Sequence, residues 1–306
     1  MQKQLFDIPD TRELTLFSFG GGQDSWAILL MLIFDKAFRK KYAPNRLLVK
    51  MSDTGWEHPK TYYFTSAAED LCKKHDIEFH LIKSEMGYHP KTWQHLTHNW
   101  EKNSTVGSVA FPQTCTDNIK IKVVDNFAEQ WIKDNYGIEG TKKSAFKKFY
   151  YKYGKITRLL GIAAGEEGRT GNQKHFPKWK KMSINYRYPL MEMGIDRAGA
   201  QKVISDYGFT VPPPSNCTIC FYQSGQELLW LYRNLPEHFW KWVKLERNKL
   251  NKSRAQGVPN DKNNGPFGTK TIIQKLREAI DKYGDWSSER LEEYKMSHGH
   301  CVKSKY

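Results

Sequence analysis

Apolar and polar positions switch between a period of two and a period near 3.6 along the chain, and the switches mark its elements. The run from Leu14 to Phe19 is short and β-prone; it breaks into Gly20, Gly21 and Gly22 and restarts as an apolar helix over residues 24–40. Arg46 to Met51 reads as a strand, residues 60–75 as a helix and 77–82 as a strand. Residues 117–135 carry Val123, Val124, Phe127, Trp131 and Ile132 on one side of an amphipathic helix, and a further strand starts at Arg158. Strands alternating with helices predict an α/β fold with a doubly wound, mostly parallel sheet. The proline run at 211–214 breaks that rhythm. Beyond Gln223 two helical blocks, about 225–249 and 269–295, flank a polar, turn-rich stretch at 251–268. The pattern thus divides the chain into residues 1–210, the sheet unit, and 211–306, a helical, cysteine-bearing C-terminal lobe.

The glycine turn is the first candidate for chemistry. Strand, three glycines, Asp24, Ser25 and then helix is an order that brings turn and helix N–H groups to one point, which suits an anion. Asp24 and Ser25 stand where capping residues belong, and the Ser25 hydroxyl offers another donor. The turn has no Gly-Lys-Ser/Thr ending of a Walker loop and no G-x-G-x-x-G spacing of a dinucleotide fingerprint. At the end of the second strand, Asp53, Thr54, Gly55 and Glu57 form a loop where open α/β sheets bind ligands.

Charge changes the picture next. The 306 residues carry a net +15, the usual electrostatic footprint of a nucleic-acid partner. Residues 141–182 hold twelve Lys/Arg against Glu166 and Glu167, a net +10, interleaved with Phe146, Phe149, Tyr150, Tyr151, Tyr153, Phe176 and Trp179. Such a mixture suits backbone phosphates and stacked or flipped bases, with a solvated insertion as the alternative. The nucleic-acid reading is favoured because the run brackets the strand from Arg158 to Gly165, whose following loop should lie over the cleft. The start of the chain has no apolar signal core, and the longest apolar run, Trp26 to Phe34, is shorter than a bilayer span, so a cytoplasmic protein with no membrane partner is expected. Of five cysteines, Cys217 and Cys220 form a C-x-x-C just after the proline run, a turn suited to a metal ion or cluster. Cys72, midway along an apolar helix, reads as core.

Two motifs in order carry a resemblance. Residues 20–25 resemble the S-G-G-x-D-S pyrophosphate loop of the PP-loop ATP pyrophosphatase superfamily, with Gly20 in place of the first serine. Asp53-Thr54-Gly55-x-Glu57-x-Pro59-x-Thr61-Tyr62 resembles a segment of its phosphoadenosine-phosphosulfate (PAPS) reductase-like branch. Gly161 to Arg169 resembles that branch's G-I-R-A-x-E-S-x-x-R, with Ala163 replacing the arginine and Glu167 the serine. The resemblance implies an adenine nucleotide alpha hydrolase-like fold. It also implies nucleotide contacts from Phe19, Gly20, Gly21, Gly22, Gln23, Asp24 and Ser25, from Met51, Asp53 and Thr54, and from Gly161 and Glu166. Asp24, Ser25 and Arg169 are the catalytic candidates. The segment at Thr114-Cys115 resembles the branch's cysteine-bearing stretch, which implies Cys115, Cys217 and Cys220 as ligands. Cys301 or the histidines at 298 and 300 could add a fourth. A [4Fe–4S] cluster is the expectation from the thiolates, and Zn²⁺ the alternative if the C-terminus contributes. Lys120 and Lys122 either face phosphates or are solvated helix positions.

Together these imply an enzyme that binds ATP and Mg²⁺, releases pyrophosphate and adenylylates an acceptor in DNA or tRNA for insertion of sulfur or another nucleophile. A sulfur-donor protein would be a further partner. The DNA-phosphorothioation ATPases of the DndC type are the nearest in pattern. Alternatives are a sulfonucleotide (PAPS/APS) reductase, although Cys301 does not sit in an E-C-G-L-H motif, and a metal-stabilised nucleic-acid-binding protein without catalysis.

Overall fold

The computed structural model describes residues 13–112, 114–171 and 173–297. In chain order its sheet unit runs β1 (Leu14–Ser18), α1 (Gln23–Phe34), α2 (Lys36–Tyr42), β2 (Arg46–Ser52), α3 (Pro59–Lys74), β3 (Glu78–Ile82), α4 (His98–Asn103), α5 (Lys122–Tyr136), α6 (Ser144–Tyr153), β4 (Ile156–Leu160), α7 (Lys178–Ser183), β5 (Ile184–Arg187), α8 (Pro189–Glu192) and α9 (Arg197–Asp206). The helical part follows as α10 (Gly225–Asn234), α11 (Pro236–Ala255), α12 (Ile272–Tyr283) and α13 (Ser288–Ser297). The five strands pair entirely in parallel in the order β3-β2-β1-β4-β5. Strand order therefore reverses between β1 and β4, and a crevice at their carboxyl ends is where such sheets take ligands.

Strand alternation sends side chains to two cores. Phe17, Leu47, Val49, Met51 and Leu159 pack with Trp26 and Ile28 of α1, Phe38 and Tyr42 of α2, Cys72 of α3 and Ile204 of α9. Leu14, Leu16, Leu48, Ile156 and Ile184 pack on the other face with Phe127 and Ile132 of α5 and Phe146 and Phe149 of α6. Helices thus cover both faces, and Cys72 is buried in the first core as its helical position predicts. A third core joins the helical part to the rest: Leu96, Trp100 and Ile119 pack with Ile219, Phe221, Leu228, Phe239 and Trp242.

Several elements are shorter than the periodicity predicts, each for a local reason. The helix expected over 24–40 breaks at Asp35, whose side chain accepts from the backbone N–H groups of Ala37 and Phe38 and starts α2 afresh. Pro236 opens α11 at its first position and divides the block at 225–249. The stretch before α5 is a π-helix, Thr116–Ile121, so the helix read from Asp117 starts with a wider turn. Among the described residues no helix is long and apolar enough to cross a membrane.

Candidate functional site

Close packing shapes the glycine turn. Gly22 is the N-cap of α1 and makes no side-chain cap, so Asp24 and Ser25 lie inside the first turn rather than capping it. The Ser25 hydroxyl donates to the Gly22 carbonyl at 2.8 Å, closing the turn on itself. A Cβ at Gly22 would stand 2.9 Å from the Ser215 nitrogen, and one at Gly161 3.0 Å from the Ser25 nitrogen. Gly21 has φ +73°, a conformation that favours glycine, and a side chain there would meet Thr61 at 2.8 Å. The tip of β4, the proline-rich segment and α3 therefore hold the start of α1 from three sides. Gly20 is exposed, with room for a side chain.

The turn opens on a cavity of about 260 Å³ at the β1/β4 reversal. Of the expected site residues, Phe19, Gly20, Gly22, Gln23, Asp24, Ser25, Met51, Gly161 and Arg169 line it. Gln23 does so with its amide committed elsewhere, since it donates to the Pro212 carbonyl and accepts from Gln201, both at 3.0 Å. Gly21, Asp53, Thr54 and Glu166 are not among its lining residues. The Asp53 carboxylate takes the Gly55 N–H at 2.8 Å and the Tyr62 hydroxyl at 2.7 Å, and Thr54 donates to Glu57 at 3.0 Å. These two residues shape the strand-2 loop and do not face the cavity.

At the mouth, Glu166 pairs with Arg169 and, at 2.6 Å, with Arg197. Asp24 lies beside this group. Burial, reinforced by the nearby Glu166 charge, pushes the Asp24 carboxyl up to about 6, against the opposing pull of the two arginines and the Ala163 N–H.

Deeper, charged residues carried by the strands and by α5 and α7 dominate. Lys50 lies two residues beyond Leu48 and Arg158 two beyond Ile156, so both project to the α5 face. There Asp125 of α5 pairs with Arg158 and with Lys180 of α7, each at 2.7 Å. Burial alone would lift the Asp125 carboxyl; the two cations outweigh it and hold it below its ordinary value. The Lys50 amine has no hydrogen-bond partner, and burial together with Arg158 depresses it well below the ordinary lysine range. The sequence signal for this group is a charged residue inside each of two strands flanked by helices on both sides, where apolar runs are the norm.

The C-x-x-C segment docks onto the strand-2 loop. Thr218 N–H donates to Trp56 at 2.7 Å, His58 N–H to Asn216 at 3.1 Å, and Cys217 Sγ lies 3.7 Å from the Thr54 hydroxyl. Pro214, Ser215 and Asn216 thereby form a cavity wall beside the glycine turn. Cys115 packs against the same core as Cys217. Among the described residues no three His, Cys, Asp or Glu side chains meet as a metal-ligand group, and Cys301 and the histidines at 298 and 300 lie outside the described residues.

Residues 141–182 divide by burial. Phe146 and Phe149 are fully buried, and Trp179 packs on Phe146 with ring centres 4.6 Å apart, so these aromatics are core rather than stacking platforms. Lys143 pairs with Glu129 at 3.3 Å, and Arg158, Arg169 and Lys180 are held in the pairs above. Lys142, Lys148, Lys152, Lys155, Lys174, Lys178 and Lys181 are exposed, as is Tyr151. Lys120 pairs with buried Glu57 at 3.2 Å and lines the cavity, whereas Lys122 pairs with Asp117 at 2.7 Å on the surface.

Compared with protein-family models, curated proteins and solved structures, the chain matches none.

Proposed function

We propose that this chain is an ATP pyrophosphatase of the PP-loop type that transfers AMP to an acceptor oxygen, with DNA or tRNA as its macromolecular partner. One observation carries the reading: the start of α1, without a side-chain cap and packed against Gly161, opens on a cavity with Arg169 and Arg197 beside Asp24 at its mouth and Lys120 on its wall. First-turn N–H groups, with the two arginines and Lys120 within the same cavity, suit a triphosphate. Met51, on the β2 side of the same cavity, gives an apolar surface for the base.

In the reaction an oxygen of the acceptor attacks the α-phosphorus and the α–β P–O bond breaks. Pyrophosphate leaves with the electron pair, and AMP is joined to the acceptor for later displacement by sulfide or another nucleophile. Arg169 and Arg197, fixed by Glu166, offset charge on the departing pyrophosphate. Asp24 is the oxygen donor suited to Mg²⁺, which takes one or two carboxylates and fills its remaining positions with water and phosphate oxygens. Bound there, Mg²⁺ would neutralise phosphate charge. Among the described residues Cys115, Cys217 and Cys220 do not meet as a three-ligand set, and no step is assigned to them. A sulfur-donor protein is the partner that the thiolation branch of this chemistry requires.

The test is release of pyrophosphate and AMP from ATP and Mg²⁺, with and without DNA or tRNA. The expected result is pyrophosphate release stimulated by nucleic acid and lowered about 100-fold or more in Asp24→Ala. Orthophosphate and ADP as products, or unchanged pyrophosphate release in Asp24→Ala, would reject the reading.

A further inference from the structure

The geometry points to a second anion site on the α5-side floor of the cavity, where Lys50, Arg158 and Lys180 surround Asp125. We propose that it takes a tetrahedral dianionic oxyanion, a phosphate monoester or sulfate group. Its designation as second rests on the reading of the glycine turn as the ATP site.

Register separates the two places. Lys50 pairs across the sheet with Ser18 and Arg158 with Leu16, two and four residues before Gly20. At about 3.3 Å per residue their backbones lie roughly 7 and 13 Å below the glycine turn. Charge gives the floor its ligand class. Asp125 serves Arg158 and Lys180 at once, and the buried Lys50 amine adds a donor with no hydrogen-bond partner. The neighbouring Lys143–Glu129 pair is internally balanced. Arg158 and Lys180 against one carboxylate leave a net positive charge, and an oxyanion that accepts from Lys50 favours the protonated amine there, which makes room for a dianion.

Unused donors give the floor its shape. Lys50 is fully buried and its Nζ has no partner; Arg158 holds Asp125 through Nη1 and has the Tyr186 hydroxyl beside it, with no well-aligned hydrogen bond closing Nε or Nη2. Nε and Nη2 form the guanidinium edge that grips two oxygens of one phosphate or sulfate. Buried donors left without partners are costly, and here both belong to residues that line a cavity. Val124, Ile121 and Phe176 supply apolar wall around them. Because Lys50 and Arg158 are buried under the loops, a terminal oxyanion can reach them, whereas a phosphodiester inside a polymer would have to carry chain on both sides into the floor. The acceptor group is therefore a small oxyanion or the terminal phosphate of a longer molecule.

The experiment is calorimetric titration of the full chain with inorganic phosphate, inorganic sulfate, α,β-methylene ATP, and a 5′-phosphorylated oligonucleotide beside its 5′-hydroxyl twin. The expected result is one phosphate or sulfate per chain, weakened about tenfold or more by Lys50→Met, with affinity for the ATP analogue changed less than about threefold. Displacement of phosphate by the phosphorylated oligonucleotide alone would assign the terminal-phosphate source, and binding of free ions only would assign the small-oxyanion source; either supports the site. Lys50→Met should melt no lower than the parent, because it removes an unpaired buried amine; if it fails to fold, Lys180→Gln at the more exposed edge serves in its place. No binding of phosphate or sulfate by the parent chain would overturn the proposal. So would equal weakening of the ATP analogue and phosphate, since the floor would then be part of the triphosphate site. If the parent binds no ATP analogue but still binds phosphate through Lys50, the ATP reading falls and the oxyanion site stands.

Discussion

At the mouth of the cavity Asp24 and Glu166 meet Arg169 and Arg197, two carboxylates for two guanidiniums, whereas on its floor Asp125 alone faces Lys50, Arg158 and Lys180. The mouth is assembled from loops after β4 and the start of two helices, is partly exposed, and balances its own charge. The floor joins residues from β2, α5, β4 and α7, is buried, and stays cation-rich. A balanced group can hold geometry without a ligand; an unbalanced buried one carries a desolvation cost that a bound anion removes. The contrast separates arginines that Glu166 already holds in place from buried donors that outnumber their acid.

The largest expected effect breaks the floor. Arg158→Met leaves Asp125 with Lys180 as its remaining close cation, and we predict a loss of about 3–5 kcal/mol in denaturant unfolding. The matching change at the mouth, Arg169→Met, leaves Glu166 paired to Arg197 and should cost about 1 kcal/mol or less. Equal losses in the two variants would erase the distinction between the regions.

Asp24→Asn should stabilise the protein by about 3 kcal/mol near neutral pH. The sign follows from its raised carboxyl: between the unfolded value of 3.8 and the folded value of about 6 the native state holds more protons than the unfolded one. The stability associated with protonated Asp24 is full below 3.8 and is lost as pH rises through 6, so the parent carries the cost of an ionised buried acid at pH 7. Thermal melts from pH 4 to 7 should show this slope in the parent and its absence in Asp24→Asn. The variant is expected to gain stability while losing pyrophosphate release.

The smallest effect concerns the exposed basic segment. Replacing Lys142, Lys148, Lys152 and Lys155 with Gln should leave folding unchanged and flatten the salt dependence of nucleic-acid binding, by about one unit of slope for each phosphate no longer neutralised. Phosphate binding at the floor should not change. A parental salt slope in the four-fold variant would make this segment plain solvated surface.

Much of the frame is legible from periodicity. The strands at 14–18, 46–52 and 78–82, the glycine turn and the amphipathic α5 all stand where the apolar spacing puts them. β5 escapes it because Ile184–Arg187 is four residues long and lies among basic loop residues, too short for an alternation signal. The site is legible at its mouth, where glycine chemistry leaves a local signature, and at its floor leaves only the charged residues inside β2 and β4 as a sign. Lys50, Asp125, Arg158 and Lys180 are far apart in sequence, and only parallel pairing and the packing of α5 bring them together. The reverse holds for the aromatics at 141–182, where spacing alone does not tell buried Phe146 and Phe149 from exposed Tyr151.

Simultaneous occupancy tests the two-region account most directly. Equilibrium dialysis of the full chain against radiolabelled α,β-methylene ATP, with phosphate or sulfate held at saturation, measures whether the mouth and the floor fill together. The account predicts one nucleotide and one oxyanion per chain, each affinity within about threefold of its value alone. Mutual exclusion, with phosphate displaced as the nucleotide binds, would contradict it and merge mouth and floor into a single site.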